Sequence, residues 1–179
     1  MLYEVCFHAR GGQGAVLAAK LLILAASIEG LWGQAFPLFG GERRGAPVFS
    51  FARISDKPVR VRSRIRKPDA LLVFDRTLLG GRLPELKEEG LAIVNSPSKP
   101  SLAAARVYWV DATAIAVKHG LMVAGWPAVN TAMLGAFAKA SGIIGLESLV
   151  AAIKHTWTGE LGEANAAAAE EAFRKVVGA

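Results

Sequence analysis

The chain holds one cysteine, Cys6, and three histidines, His8, His119 and His155, in 179 residues. A single thiol excludes an internal disulfide framework and cannot supply the ligands of an iron–sulfur cluster or a thiolate zinc site. The histidines have no cysteine or carboxylate at metal-ligand spacing, and no serine stands in a nucleophile elbow, so neither a metal nor a catalytic residue is expected in this chain. The longest apolar stretch carries Lys20 and falls short of a bilayer's thickness, and no signal-peptide pattern opens the chain. A cytoplasmic protein without membrane attachment is the expectation.

Hydrophobic residues make up 53% and charged residues 20%, which suits one well-buried domain over residues 1–179. Charge is unevenly spread. Residues 1–67 hold eleven Lys/Arg against four Asp/Glu, whereas the remainder hold ten against eleven. A net +7 in the first third points to an acidic surface, a phosphate-bearing ligand or a nucleic acid.

Tyr3 to Ala9 is rich in β-formers, Gly11, Gly12 and Gly14 follow it, and Ala15 to Ile28 contains no Pro or Gly. The pattern predicts strand, tight turn, helix, with backbone amides at the helix start where an anion is favoured, or simply a close strand-to-helix turn. A dinucleotide fingerprint requires a third glycine and a later acid. Leu17 stands at the glycine position and Trp32 Gly33 Gln34 Ala35 Phe36 offers no acid, which argues against a nicotinamide or flavin site.

A second strand is expected over Leu31 to Phe36, followed by a charged loop from Pro37 to Pro47 that contains Gly41, Glu42, Arg43, Arg44 and Gly45. Val48 to Ile54 and Val59 to Arg66 read as strands flanking a turn at Ser55 to Pro58. In the latter, alternation would align Arg60, Arg62, Arg64 and Arg66 as a ladder, either a charged edge that resists aggregation or a docking surface. Further strands are expected at Ala70 to Phe74, Leu91 to Asn95 and Val107 to Val110, with a polar helix around Leu83 to Glu89 and a helix over Ala112 to Lys118 capped by Asp111. Asp75, Asn95 and Asp111 thus fall at strand ends, where open α/β sheets place ligands and where caps also sit. Asn130 is expected to cap Thr131 to Ala140, and a final helix runs from Leu161 to Val177. The whole reads as a single α/β domain: a doubly wound, largely parallel sheet with helices on both faces, a β-hairpin insertion and a helical C-terminal third.

Arg10 Gly11 Gly12 Gln13 Gly14, Gln34 Ala35 Phe36 Pro37, Phe39 Gly40, Glu42 Arg43 Arg44 Gly45 Ala46 Pro47, Asp111 Ala112 Thr113 and Val129 through Lys139 closely resemble the gamma subunit of pyruvate and related 2-oxoacid:ferredoxin oxidoreductases. The likeness runs in order along nearly the whole chain, and is nearer the pyruvate and branched-chain types than the 2-oxoglutarate or indolepyruvate types. It implies a complex that decarboxylates a 2-oxoacid on thiamine diphosphate, passes electrons through iron–sulfur clusters to ferredoxin and forms an acyl-coenzyme A. The redox groups would reside in alpha-, beta- and delta-type subunits or fused equivalents, leaving this chain to dock, to act as a lid or to touch coenzyme A. Ligand or interface candidates are Arg10, Gly11, Gly12, Gln13, Gly14, Gly41, Glu42, Arg43, Arg44, Gly45, Asn130 and Thr131; Arg60, Arg62, Arg64 and Arg66 are candidates for partner docking. The competing class is a nucleotide- or nucleic-acid-binding module built on the glycine turn and basic hairpin. It lacks the interleaved aromatics that stack bases, so no nucleic acid is expected.

Overall fold

Strand β1 (Leu2–Arg10) occupies an interior position because its residues bury on both faces: Val5, Phe7 and Ala9 turn to one side, Cys6 and His8 to the other. The computed structural model describes residues 1–38, 45–104 and 106–178. Helix α1 (Ala15–Ile28) buries Ala15, Ala18, Ala19, Leu22, Ala25 and Ala26 at spacings of three and four, so a stripe of small side chains lets it lie close on the sheet. It is followed by β2 (Trp32–Leu38), β3 (Pro47–Ser55), β4 (Ala70–Val73), a 3-10 turn at Arg76–Gly80, β5 (Leu91–Asn95) and β6 (Arg106–Val110). The last part contains α2 (Ala112–Lys118), a ribbon of β7 (Met122–Val123) and β8 (Trp126–Pro127), α3 (Asn130–Ser141), α4 (Leu146–Thr156), α5 (Gly159–Lys175) and β9 (Val177–Gly178).

The seven-stranded sheet has the order β2-β3-β1-β4-β5-β6-β9. Its centre, β1-β4-β5-β6, is parallel, while β2, β3 and β9 join antiparallel. The α/β class, the parallel centre and the helical last third agree with expectation, but the covering of the sheet differs. All five α-helices contribute to the core on the Phe7 side, whereas the Cys6 side is covered by Ile65, Leu78 and partly buried Leu83 and Leu86. The connections β4 to β5 and β5 to β6 hold no α-helix among the described residues, so the second face is roofed by irregular chain.

The strand expected over Val59 to Arg66 does not form. β3 is paired on both sides, with β1 and with β2, so no free edge remains for a following arm, and the hairpin is instead β2 with β3. The buried Arg53 guanidinium also takes the carbonyls of Val61 and Ser63 as acceptors, holding that segment as an irregular strap. Arg60, Arg62, Arg64 and Arg66 are exposed, but so are Val61 and Ser63, and the ladder is absent. The polar helix around Leu83 to Glu89 is likewise missing. Pro84 and Gly90 leave too few residues for a stable helix, and Leu83 and Leu86 turn onto the apolar cluster instead. Asn130 is the first residue of α3 and not its cap, a position held by Val129, and the final helix ends at Lys175 so that Val177 can pair with Trp109.

Candidate functional site

The parallel strands β1, β4, β5 and β6 end at one edge of the sheet, bringing Arg10, Asp75, Asn95 and Asp111 into one neighbourhood. Such strand ends are where α/β sheets form ligand crevices. A cavity of about 330 Å³ is lined there by Gln13, Asp75, Asn95, Asp111 and Thr113. A larger one of about 650 Å³ opens on the other side of the glycine turn, between Arg10, Gly11, Gly12, Gly14, Lys20 and Phe49.

Gly12 and Gly14 adopt φ of +101° and +84°, so the turn uses backbone angles that side chains resist. Two of its amides are already committed: Gly11 donates to Ala46 O at 2.8 Å and Gln13 to Arg10 O at 3.0 Å. Gln13 closes the turn by accepting from the Arg10 amide through Oε1 at 2.8 Å. Each nitrogen of the Arg10 guanidinium has a partner. Its Nε donates to Asp75 Oδ2 at 3.0 Å, Nη1 to Gly45 O at 3.1 Å and Nη2 to Thr77 Oγ1 at 2.6 Å. Burial works to raise the Asp75 carboxyl, but hydrogen bonds from Thr77 and the Arg10 charge outweigh it and hold the group below its ordinary value. Arg10 is therefore a brace that ties β1 to the 3-10 turn and to the chain entering β3.

Gly45, with φ +83°, donates to Gly11 O at 3.1 Å, so the chain before β3 rests on the glycine turn. Gly41, Glu42, Arg43 and Arg44 lie outside the described residues. Asn130 packs on Gly14 and its Oδ1 accepts from the Thr131 amide at 3.0 Å. Thr131, fully buried, donates to Asn165 Oδ1 at 3.0 Å and joins α3 to α5. Asn95 ties the end of β4 to the start of α2 by donating to Phe74 O at 2.8 Å and Thr113 Oγ1 at 2.9 Å, and Asp111 caps α2 through the Ala114 amide at 2.8 Å. The turn, Gly45 and Asn130 thus converge; Thr131 lies behind them in the interior, and the arginine strap sits on the opposite sheet face.

The buried Nδ1 of His8 has no hydrogen-bond partner among the described residues, and its ring stacks on Phe49, with centroids 4.1 Å apart and planes at 12°. Burial, and then the charge of Arg10, push it down to about 4. Cys6 is buried and its thiol is raised, chiefly by burial. Among the described residues no group of three or more His, Cys, Asp or Glu is placed to hold a metal ion, and no helix is long and apolar enough to cross a membrane.

Sequence reasoning missed Arg53, whose side chain is 1% exposed. It donates to Glu4 Oε1 at 3.0 Å, to Gln34 Oε1 at 3.4 Å and to Val61 O at 3.2 Å, and lies 5.2 Å over the Phe36 ring. The lone charge in the mostly apolar strand Val48 to Ile54 was the signal that could have found it.

A family model described as pyruvate ferredoxin/flavodoxin oxidoreductase matches residues 4–175. The chain belongs to this family. It is 49% identical to a pyruvate/ketoisovalerate oxidoreductases common subunit gamma from Thermococcus litoralis, covering 98% of each chain. It is 44% identical to a pyruvate synthase subunit PorC from Methanothermobacter marburgensis, again over 98% of both. A crystal structure of the pyruvate oxidoreductase subunit PORC from Thermotoga maritima superimposes with a TM-score of 0.85 at 31% identity, covering 99% of this chain and 98% of that one. The fold alone also recurs, with a TM-score of 0.72 at 14% identity, over 96% of this chain and 30% of a 2-oxoglutarate:ferredoxin oxidoreductase from Magnetococcus marinus. The fold thus stands as a separate subunit in one solved structure and within a longer chain in another.

Proposed function

We propose that the chain is the gamma-type subunit of a pyruvate or ketoisovalerate:ferredoxin oxidoreductase, acting in a complex that converts the 2-oxoacid to acyl-coenzyme A and reduces ferredoxin. The observation that carries this is its end-to-end correspondence with separate gamma subunits, 98% of each chain aligned at 49% identity. The residues present do not fit an iron–sulfur centre, because Cys6 is the only thiol and is buried in the sheet. Thiamine diphosphate and the clusters are accordingly assigned to alpha-, beta- and delta-type partners, and the isolated chain is inactive. The glycine turn is braced internally by Arg10, Gln13 and Gly45, which supports a role in anchoring the chain that enters β3. Any coenzyme A contact belongs at the cavity beside the turn, where Lys20 is the cation with no ion-pair partner among the described residues.

Reconstitution tests this directly. The chain, mixed with the other subunits, should restore 2-oxoacid-dependent reduction of ferredoxin that neither fraction supports alone. Turnover by the rigorously purified chain, or full activity without it, overturns the reading. Replacing Arg43 and Arg44 separately by Ala in that assay, with coenzyme A varied, tests whether the charged loop serves assembly or the acyl acceptor; wild-type values for both variants deny the loop a role.

A further inference from the structure

The Cys6 face of the sheet, which carries no α-helix among the described residues, is floored by stacked rings. Phe49 lies against His8 on one side and Phe51 on the other, at 6.4 Å between the phenylalanine centroids, and Phe51 stacks with Phe36 at 5.5 Å. Phe49, Phe51, Ile65 and Leu83 form the apolar part of a cavity of about 650 Å³, and Arg64, Arg66 and Arg82 stand around it. Those three arginines are exposed, and none of the ion pairs among the described residues involves them. Among the described residues the one carboxylate lining the cavity is Glu85, paired with Lys67 at 2.7 Å. Residues 58–67 contain four arginines and a lysine and no acid.

We propose that this groove seats an acidic amphipathic segment of a partner subunit, with an apolar side chain on the phenylalanine floor and carboxylates on Arg64, Arg66 and Arg82. The inference rests on the chain being a subunit of a complex, and it names where one partner binds. Three guanidinium groups around an apolar cup match carboxylates flanking a hydrophobic anchor, since each guanidinium offers a planar pair of donors to a carboxylate. Arginine is also the charged residue most used at interfaces. The strap is already fixed: Arg53 holds the carbonyls of Val61 and Ser63 from below, so binding orders little backbone. A single-stranded nucleic acid is a poorer match. Its bases need exposed ring faces, whereas Phe51 is 2% exposed and Phe49 is stacked on both sides.

The test uses the assembled complex. Arg64→Glu with Arg66→Glu should weaken association with the partner subunits about tenfold or more, and rising salt should weaken the wild-type complex but much less the variant. Arg60→Glu with Arg62→Glu, which lie on the same strap but do not line the cavity, should have a clearly smaller effect. A photo-crosslinking phenylalanine at Leu83 should capture a partner peptide rich in Asp and Glu; unchanged circular dichroism and melting of each variant certify the fold. If the wild type copurifies with the other subunits while the Arg64/Arg66 variant assembles equally well, or the Leu83 crosslink reaches no acidic partner segment, this surface is wrong although the subunit reading stands. If the wild type joins no such subunits, the subunit reading itself fails. Binding of single-stranded nucleic acid at physiological salt that the Arg64/Arg66 variant abolishes, without subunit binding, also overturns the proposal.

Discussion

The amide of Asn130 fills the space that a side chain on Gly14 would need: a Cβ built on Gly14 would fall 2.9 Å from Asn130 Nδ2. The start of α3 is thereby pressed against the start of α1, and the glycine turn is shaped from behind by a residue 116 positions later in the chain. Two costs follow for Gly14→Ala. An alanine at φ +84° is strained by about 1 kcal/mol, and the Asn130 side chain must move from a buried place. The expected loss is about 2 kcal/mol in urea unfolding. In an Asn130→Ala background the same change should cost about half as much, and a double-mutant cycle with no coupling would contradict the contact.

Much of this arrangement is legible in the sequence, for a physical reason. Local signals fix β1, the glycine turn and α1, because strand formers, glycines and an unbroken helical run follow one another there within thirty residues. The alternating arginines of Val59 to Arg66 carry an equally strong local pattern and mislead. Whether a strand forms depends on a free sheet edge, and both edges of β3 are taken by β1 and β2. The same limit hides Arg53, whose meaning rests on Glu4, Gln34 and two carbonyls distant in sequence. At the site, Gly14 and Asn130 are each visible as a turn or cap residue, but only the packing of α1 against α3 shows that they touch.

His8 makes the protein sensitive to mild acid. Its imidazole is pushed down to about 4 from an ordinary value of 6.5, first by burial and then by Arg10. A depressed histidine is protonated more readily in the unfolded chain, so the folded state loses stability as pH falls below about 6.5 and goes on losing it until about 4. Between pH 7 and pH 5 this amounts to about 2 kcal/mol. His8→Phe, which keeps the stack on Phe49, should remove that component and leave the carboxylate-dependent loss at lower pH. Equal pH dependence of the two proteins' urea midpoints between pH 7 and pH 5 would show that His8 is not the sensor.

Arg53 should be needed for the shape of the strap as well as for stability. Arg53→Ala leaves Glu4 with Lys87 at 3.5 Å as its remaining cation and deprives Val61 O and Ser63 O of their donor. The expected destabilisation is about 3 kcal/mol, typical of removing one partner from a buried charge pair. Arg53→Lys should rescue little, because an ammonium cannot reach the carboxylate and two carbonyls in one plane. Limited trypsin digestion separates the local effect from the global one. Under conditions where the wild type resists, both variants should be cut first at Arg60 to Arg66; cleavage spread evenly along the chain would mean that Arg53 supports the whole sheet and has no special hold on the strap.

Helices α3 and α5 meet at Gly135 more closely than any side chain permits. A Cβ there would lie 2.0 Å from the backbone oxygen of Ala169, and backbone has no rotamer by which to move aside. Gly135 sits among fully buried neighbours, Leu134, Ala136 and Phe137, while Ala169 of α5 lies against it and Ala168 and Ala172 of the same helix are also fully buried. Small residues on both helices set this distance, and the Thr131 to Asn165 hydrogen bond at 3.0 Å is made one turn earlier at the same interface. Gly135→Ala must therefore force the helices apart or bend one of them. Its expected cost is about 3 kcal/mol, on the scale of severe overpacking, and a fall in melting temperature on the order of 10 °C. Gly80→Ala supplies the control, since a Cβ at Gly80 meets nothing within 4 Å and its φ is not positive. That variant should stay within about 0.5 kcal/mol of wild type. The two alanine substitutions add the same atoms and differ only in the space available, so equal melting temperatures would refute close α3–α5 packing as a source of stability. Separation of these helices should also pull α5 from α2, where Glu171 accepts from Lys118 at 2.9 Å and contacts His119 at 2.7 Å, and displace β9 from the edge of β6. Hydrogen exchange read at Trp109 and Val177 would then rise in Gly135→Ala before the sheet centre opens.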